Sequence, residues 1–240
     1  MKTKFSWIFY CLVSLLLSQS LSAAERFVTN ESNGFVWIQQ GKAYPILVDS
    51  REDKGVVRAV ANLQTDAGKV TGITPEIIHS VAGNRMLIIG SIENSSWIKQ
   101  LLKAGKINAA DLQGKREKYI LQMVKQPMEG VDEAVVIAGS DKRGTIYGIY
   151  ELSQQMGVSP WYFWADVPVE KHDIISIKEG IYTDGEPAVK YRGIFLNDEW
   201  PCLGNWAGDT FGGFNSKFYE TVFELVLRLK GNFMWPAMWN

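Results

Sequence analysis

Cysteine is almost absent from this chain: two among 240 residues, Cys11 and Cys202. Cys11 lies inside an apolar N-terminal run, so the exported chain keeps one thiol and closes no internal disulfide. Its stability must come from core burial. Cys202, beside Trp200 and with no histidine near it in sequence, is expected to be a small buried hydrophobe rather than a nucleophile. Histidine is as scarce, at two residues, His79 and His172, and no His/Cys/Asp group has metal-ligand spacing. No Gly-x-Ser-x-Gly elbow occurs. Gly139, Gly144 and Gly148 fit neither a dinucleotide fingerprint nor a Walker loop. No metal or cofactor is therefore expected. Charge of one sign is missing as well: 25 basic against 26 acidic residues leave a net charge of -1. That balance gives no reason to expect nucleic acid or an anionic membrane as a partner.

What is present begins with a leader. Lys2 and Lys4 precede the apolar stretch Phe5 to Leu17, too short to span a bilayer, and small residues follow at Ser20, Ser22, Ala23 and Ala24. Residues 1–24 read as a secretory signal peptide cleaved after Ala24 or after Ser22. The mature protein is expected to be secreted or periplasmic, with no membrane attachment after cleavage.

Hydrophobic content of 46% and charged content of 21% describe a globular chain. Strand patterns at Phe35–Ile38 and Ile46–Val48 flank a turn at Gly41-Lys42. Asp49 or Ser50 caps a helix from about Asp53 to Ala67, ended by Gly68 and Gly72. Strands follow at Glu76–Ser80 and Arg85–Ile89, then a helix over 94–104 and strands at Lys118–Val124 and Ala134–Ala138. Ser140 or Asp141 opens a further helix to Met156, closed by Gly157. This alternation predicts an α/β domain over residues 25–180.

Tryptophan is concentrated late: of nine, Trp161, Trp164, Trp200, Trp206, Trp235 and Trp239 follow residue 160. Such rings fill cores or stack on sugar faces. Tyr191 to Asn197 reads as a short buried strand, with the carboxylates Asp198 and Glu199 at its exit and Trp200-Pro201 stopping it. A glycine-rich loop from Pro201 to Asn215, a helix over Ser216–Lys230 and a strand at Phe233–Trp235 complete one βαβ unit over residues 181–240. Paired carboxylates suit glycoside hydrolysis, where one protonates the leaving oxygen and the other activates water or attacks the anomeric carbon. Adjacent strand residues face opposite ways, so at most one of Asp198 and Glu199 is catalytic. Asn197 and Glu199 share one face, Leu196 and Asp198 the other. Arg192, near the strand's start, is expected to form a structural ion pair.

The segment Tyr191-Arg-Gly-Ile-Phe-Leu-Asn-Asp-Glu-Trp-Pro, with Gly204-Asn-Trp, Phe211-Gly-Gly-Phe-Asn and Leu229-Lys-Gly-Asn-Phe-Met-Trp-Pro-Ala-Met-Trp-Asn240, resembles glycoside hydrolase family 115. Gly139-Ser-Asp-Lys-Arg-Gly-Thr-Ile-Tyr-Gly-Ile-Tyr-Glu and Pro160-Trp-Tyr-Phe-Trp-Ala-Asp-Val-Pro-Val are also similar to that family, so the resemblance runs from about residue 35 to 240. It implies an α-glucuronidase that removes glucuronic acid or its 4-O-methyl ether from glucuronoxylan with inversion. It implies a mixed α/β sandwich-type N-terminal domain followed by the start of a (β/α)8 TIM-type barrel, and a homodimer for a longer protein of this kind. By that likeness Asp198 and Glu199 lie on the active-site rim as catalytic candidates, with Asn197, Trp200, Trp239 and Asn240 as sugar ligands. Its other active-site acids lie beyond residue 240, so the chain is expected to be an N-terminal fragment, inactive alone. A carbohydrate-binding or structural accessory domain, and a hexosaminidase-type barrel glycosidase, are the alternatives.

Overall fold

A computed structural model of the chain describes residues 26–236. The signal-peptide segment and the candidate ligands Trp239 and Asn240 lie outside the described residues.

Three sheets organise the described residues. The central one has six strands in the order β10-β7-β8-β6-β4-β5, formed by β4 (Ile46–Val48), β5 (Ile77–Ile78), β6 (Arg85–Ser91), β7 (Tyr119–Met128), β8 (Val131–Gly139) and β10 (Ile181–Tyr182). Strands β5, β4, β6 and β8 run parallel, while β7 and β10 add an antiparallel edge. Their crossovers are α1 (Lys54–Thr71) and α2 (Ser96–Lys103), and α3 (Lys142–Gln155) follows β8. A parallel sheet with helices on both faces needs strands that are apolar throughout. The sequence supplies them: Leu87, Ile89, Val135 and Ile137 pack on one side with α1 and α3, and Met86, Ile88, Val136 and Ala138 on the other with Ile98 and Leu101 of α2.

The first core continues under an antiparallel sheet in the order β1-β9-β2-β3, made of β1 (Val28–Thr29), β2 (Phe35–Gln39), β3 (Lys42–Ala43) and β9 (Ile175–Ile177). Phe35, Trp37, Ile175 and Ile177 are its buried contribution. The hairpin turn falls at Gln40-Gly41, one residue earlier than the expected Gly41-Lys42, because Lys42 already pairs with Gln39.

Helix starts follow side-chain capping. Asp141 caps α3 through the amide of Gly144 at 2.7 Å, as the sequence suggested. Helix α1 is capped by Asp53, not by Asp49 or Ser50, through the amide of Gly55 at 2.8 Å. Asp49 is used elsewhere, accepting from Arg51 Nη2 at 3.0 Å and from the Ser96 amide at 2.8 Å. Gly68 lies inside α1, and Gly72, with φ of 76°, ends it.

The last elements are β11 (Gly193–Leu196), α4 (Cys202–Phe211), α5 (Ser216–Arg228) and β12 (Phe233–Pro236), with β11 and β12 parallel and directly paired. The segment expected to be a glycine-rich loop is largely the helix α4. Its Leu203, Ala207 and Phe211 recur every four residues and pack with Phe218 of α5. Gly204 is there for close approach: a Cβ on it would meet the Trp200 indole at 2.5 Å. Cys202 is exposed, contrary to the expectation of burial, because Leu203 and Ala207 occupy the core side of this helix.

Candidate active site

Strand β11 is pinned at its start. Glu117, 2% exposed, accepts from Arg192 Nη2 at 2.7 Å, Arg143 Nε at 2.5 Å and Asn232 Nδ2 at 2.8 Å. Asn232 Oδ1 in turn accepts from the Arg192 amide at 3.0 Å, and Tyr147 donates its hydroxyl to the Gly231 carbonyl at 2.9 Å. Burial pushes the Glu117 carboxyl up, but the hydrogen bonds from Asn232, Arg192 and Arg143 outweigh it and hold the group below its ordinary value. The expected structural ion pair of Arg192 is therefore present, and its partner is an acid 75 residues upstream in sequence.

Two further cations extend this seam. Arg228, 3% exposed, pairs with Glu224 at 2.8 Å and stands 2.8 Å from Asp66 of α1 in an ion pair without hydrogen-bond alignment. Lys230 bridges Glu151 of α3, at 2.5 Å, and Asp184. The aromatic run 161–169 joins the same boundary through Trp164, whose Nε1 donates to the Thr221 carbonyl at 3.2 Å and whose ring lies 5.5 Å from that of Trp206.

The other end of β11 carries the candidate residues. Ile194 and Leu196 face the helices, packed against Phe218 and Val222, while Phe195 is 61% exposed and meets Trp235 edge-on at 6.2 Å. The alternation carries past the strand's end. Asp198 is buried at 2% exposure, and Tyr219 of α5 donates its hydroxyl to Asp198 Oδ2. Asn197 is exposed and Glu199 half-buried. Burial, then the hydrogen bond and charge of Asp198, push the Tyr219 phenol up to about 12. Tyr219 reaches Asp198 because Asn215 caps α5, accepting from the amides of Lys217 at 3.0 Å and Phe218 at 3.2 Å. Trp200 is 64% exposed, seated over Gly204 and edge-on to Phe214 at 5.4 Å.

Four of the six expected site residues, Asn197, Asp198, Glu199 and Trp200, thus lie together at one strand exit. Tyr219 escaped sequence reading. Its only local signal is that it follows the buried Phe218 one turn after a cap, which says nothing about a carboxylate across the unit. Among the described residues no group of three acids, histidines or cysteines could hold a metal, and no helix is long and apolar enough to cross a membrane. His79 faces the Val48 carbonyl at 2.9 Å, and His172 lies beside Glu170.

Known proteins divide the chain in a similar way. Residues 38–152 match the Glycosyl hydrolase family 67 N-terminus, and residues 184–240 match Glycosyl hydrolase family 115. No curated protein matches. Among solved structures, the chain is similar to a family 115 4-O-methyl-α-glucuronidase with specificity for decorated arabinogalactans, at 34% identity and a TM-score of 0.72. That similarity covers 85% of this chain and 26% of the relative, so the chain spans about a quarter of the relative's length. A Streptomyces plicatus β-hexosaminidase is similar at 14% identity and a TM-score of 0.50, over 86% of this chain and 32% of its own, a likeness of fold alone. The family of this chain is glycoside hydrolase family 115.

Proposed function

We propose that the chain supplies the N-terminal part of an exported α-glucuronidase, which removes glucuronic acid or its 4-O-methyl ether from a polysaccharide with inversion. In this reading residues 25–180 form the supporting domain and residues 181–240 the first βαβ unit of a (β/α)8 barrel, in which functional groups gather past the carboxyl ends of strands. The observation that carries the reading is the Asp198–Tyr219 pair at the exit of β11.

Acid/base work needs an oriented carboxylate, and a hydrogen bond from Tyr219 fixes Asp198 in place. Asp198 is accordingly the carboxylate that acts on the attacking water. Tyr219 is its positioning residue. Asn197 and Glu199 take sugar hydroxyls, and the exposed face of Trp200 walls the site. The acid partner, which inversion requires at about 6.5–9.5 Å, comes from sequence of the kind by which the relative exceeds this chain. The leader-like residues 1–24 support export.

Glucuronoxylan is the substrate that the family resemblance implies. The solved relative's specificity for decorated arabinogalactans supports the broader class of uronate-decorated polysaccharides. The test is a protein in which residues 26–240 replace the matching segment of that relative, assayed for uronic acid released from glucuronoxylan and from decorated arabinogalactan. Release with an inverted anomer is the expected outcome. A folded protein that releases none from either would sink the reading.

A further inference from the structure

A cavity of about 530 Å³ opens on the β2–β3 hairpin, lined by Trp37, Gln39, Gln40, Lys42, Tyr44 and Arg85 among others. That volume falls within the range of small-ligand sites, about 300–1,000 Å³. Its chemistry is one-sided, for the lining includes two cations and no acid. The Arg85 guanidinium is held rigidly. It lies 5.0 Å from the Phe35 ring centroid and 4.9 Å from that of Tyr44, donates to the Tyr44 hydroxyl at 3.3 Å and pairs with Glu133. Its Nε is buried with no hydrogen-bond partner. Because Glu133 offsets Arg85, the exposed Lys42 supplies the net charge of the opening.

The hairpin turn is a second, independent observation. Gln40 and Gly41 have φ of 51° and 76°, both central positions of the turn in the left-handed region. Asn and Gly suit such a turn, whereas glutamine at the first position is strained. Gln40 lines the cavity next to Gln39, whose Nε2 donates to Ser32 Oγ at 2.9 Å. Two amides that both donate and accept, beside the exposed Lys42, match a ring with hydroxyls and one carboxylate.

We infer that this cavity is a second carbohydrate subsite, separate from the β11 exit, that takes a uronate-bearing oligosaccharide. Lys42 receives the carboxylate and Gln39 and Gln40 the hydroxyls, while Arg85, its donors turned to Tyr44 and Glu133, fixes the wall. The inference rests on the proposed function for the class of ligand, while the site itself rests on the hairpin.

Titration of the isotope-labelled 240-residue chain with a 4-O-methylglucuronate-bearing xylo-oligosaccharide, and with its neutral counterpart, tests it by amide chemical shifts. Amides 39–44 and 85 should shift saturably, with the acidic ligand about fivefold tighter, the size of one exposed ion pair. Lys42→Ala should abolish that preference. Gln40→Asn should raise the melting temperature yet weaken binding at the hairpin, an opposition that a purely structural glutamine would not show. No saturable shift at the hairpin, or one unchanged by both substitutions, overturns the inference. Shifts confined to residues 197–200 would overturn it while leaving the proposed function intact. Hairpin shifts without any at 197–200 would support it and leave the proposed function to the grafted enzyme.

Discussion

The parallel strands of the six-stranded sheet and the parallel β11–β12 pair are stabilised differently. In the first, β6 and β8 bury residues on both faces, and Leu87, Ile88, Val136 and Ile137 are fully inaccessible. In the second, one face packs on α4 and α5, while Tyr191, Phe195 and Trp235 on other surfaces of the unit remain 66%, 61% and 59% exposed. Two strands cannot enclose a core. The pair holds its place through the buried Glu117–Arg192–Asn232 network and the Arg228 and Lys230 ion pairs. Apolar burial stabilises one region, and polar anchorage to that region stabilises the other.

Breaking the anchor should have the largest effect. Glu117→Ala strands Arg192 and Arg143 and is expected to cost about 3–5 kcal/mol, the usual result of removing one partner from a buried charge network. Hydrogen exchange should show protection falling in β11 and β12 while β6 and β8 keep theirs. Acid should act in the same way. The Glu117 carboxyl is held below its ordinary value in the folded chain, so its contribution is complete above the unfolded value and is lost as pH falls through the folded one. Acid titration followed by the same amides should release β11–β12 before the central sheet.

Ile137→Ala strikes the other region. A cavity in the middle of β8 should cost about 2–5 kcal/mol, seen as a lower urea midpoint. Tyr219→Phe removes one hydrogen bond and should cost about 1 kcal/mol. In the grafted enzyme that substitution should lower kcat with little change in KM, since it loosens Asp198 without removing a sugar contact. Phe195→Ala, on the bare face, should change stability by about 0.5 kcal/mol or less. A large loss there would mean that the exposed aromatic face carries stability, and the contrast between the regions would fail.

The sequence made the central sheet legible because its strands are apolar runs bounded by caps and glycines, signals that act within a few residues. Arg85–Ile89 and Ile46–Val48 fall inside the observed strands, and Asp141 caps α3. Helix α4 was hidden because Gly204, Gly208 and Gly212 mimic a loop, whereas Gly204 makes room for Trp200. The site was half legible. Period-two alternation separates Asp198 from Glu199, but direction depends on where α5 packs, and the Tyr219 bond spans 21 residues. Likewise Arg192 is readable as structural from its place in the strand, while its partner Glu117 is a fact of tertiary packing alone.

The most direct test of the functional account compares Asp198→Asn with Glu199→Gln in the grafted enzyme, by kcat on a uronate-decorated oligosaccharide. The account predicts that Asp198→Asn loses about 10²–10⁴-fold, the range for removing an acid/base group, and that Glu199→Gln loses about tenfold. A loss of about 10³-fold or more in Glu199→Gln, with Asp198→Asn near wild type, would contradict it and make Glu199 the reacting carboxylate.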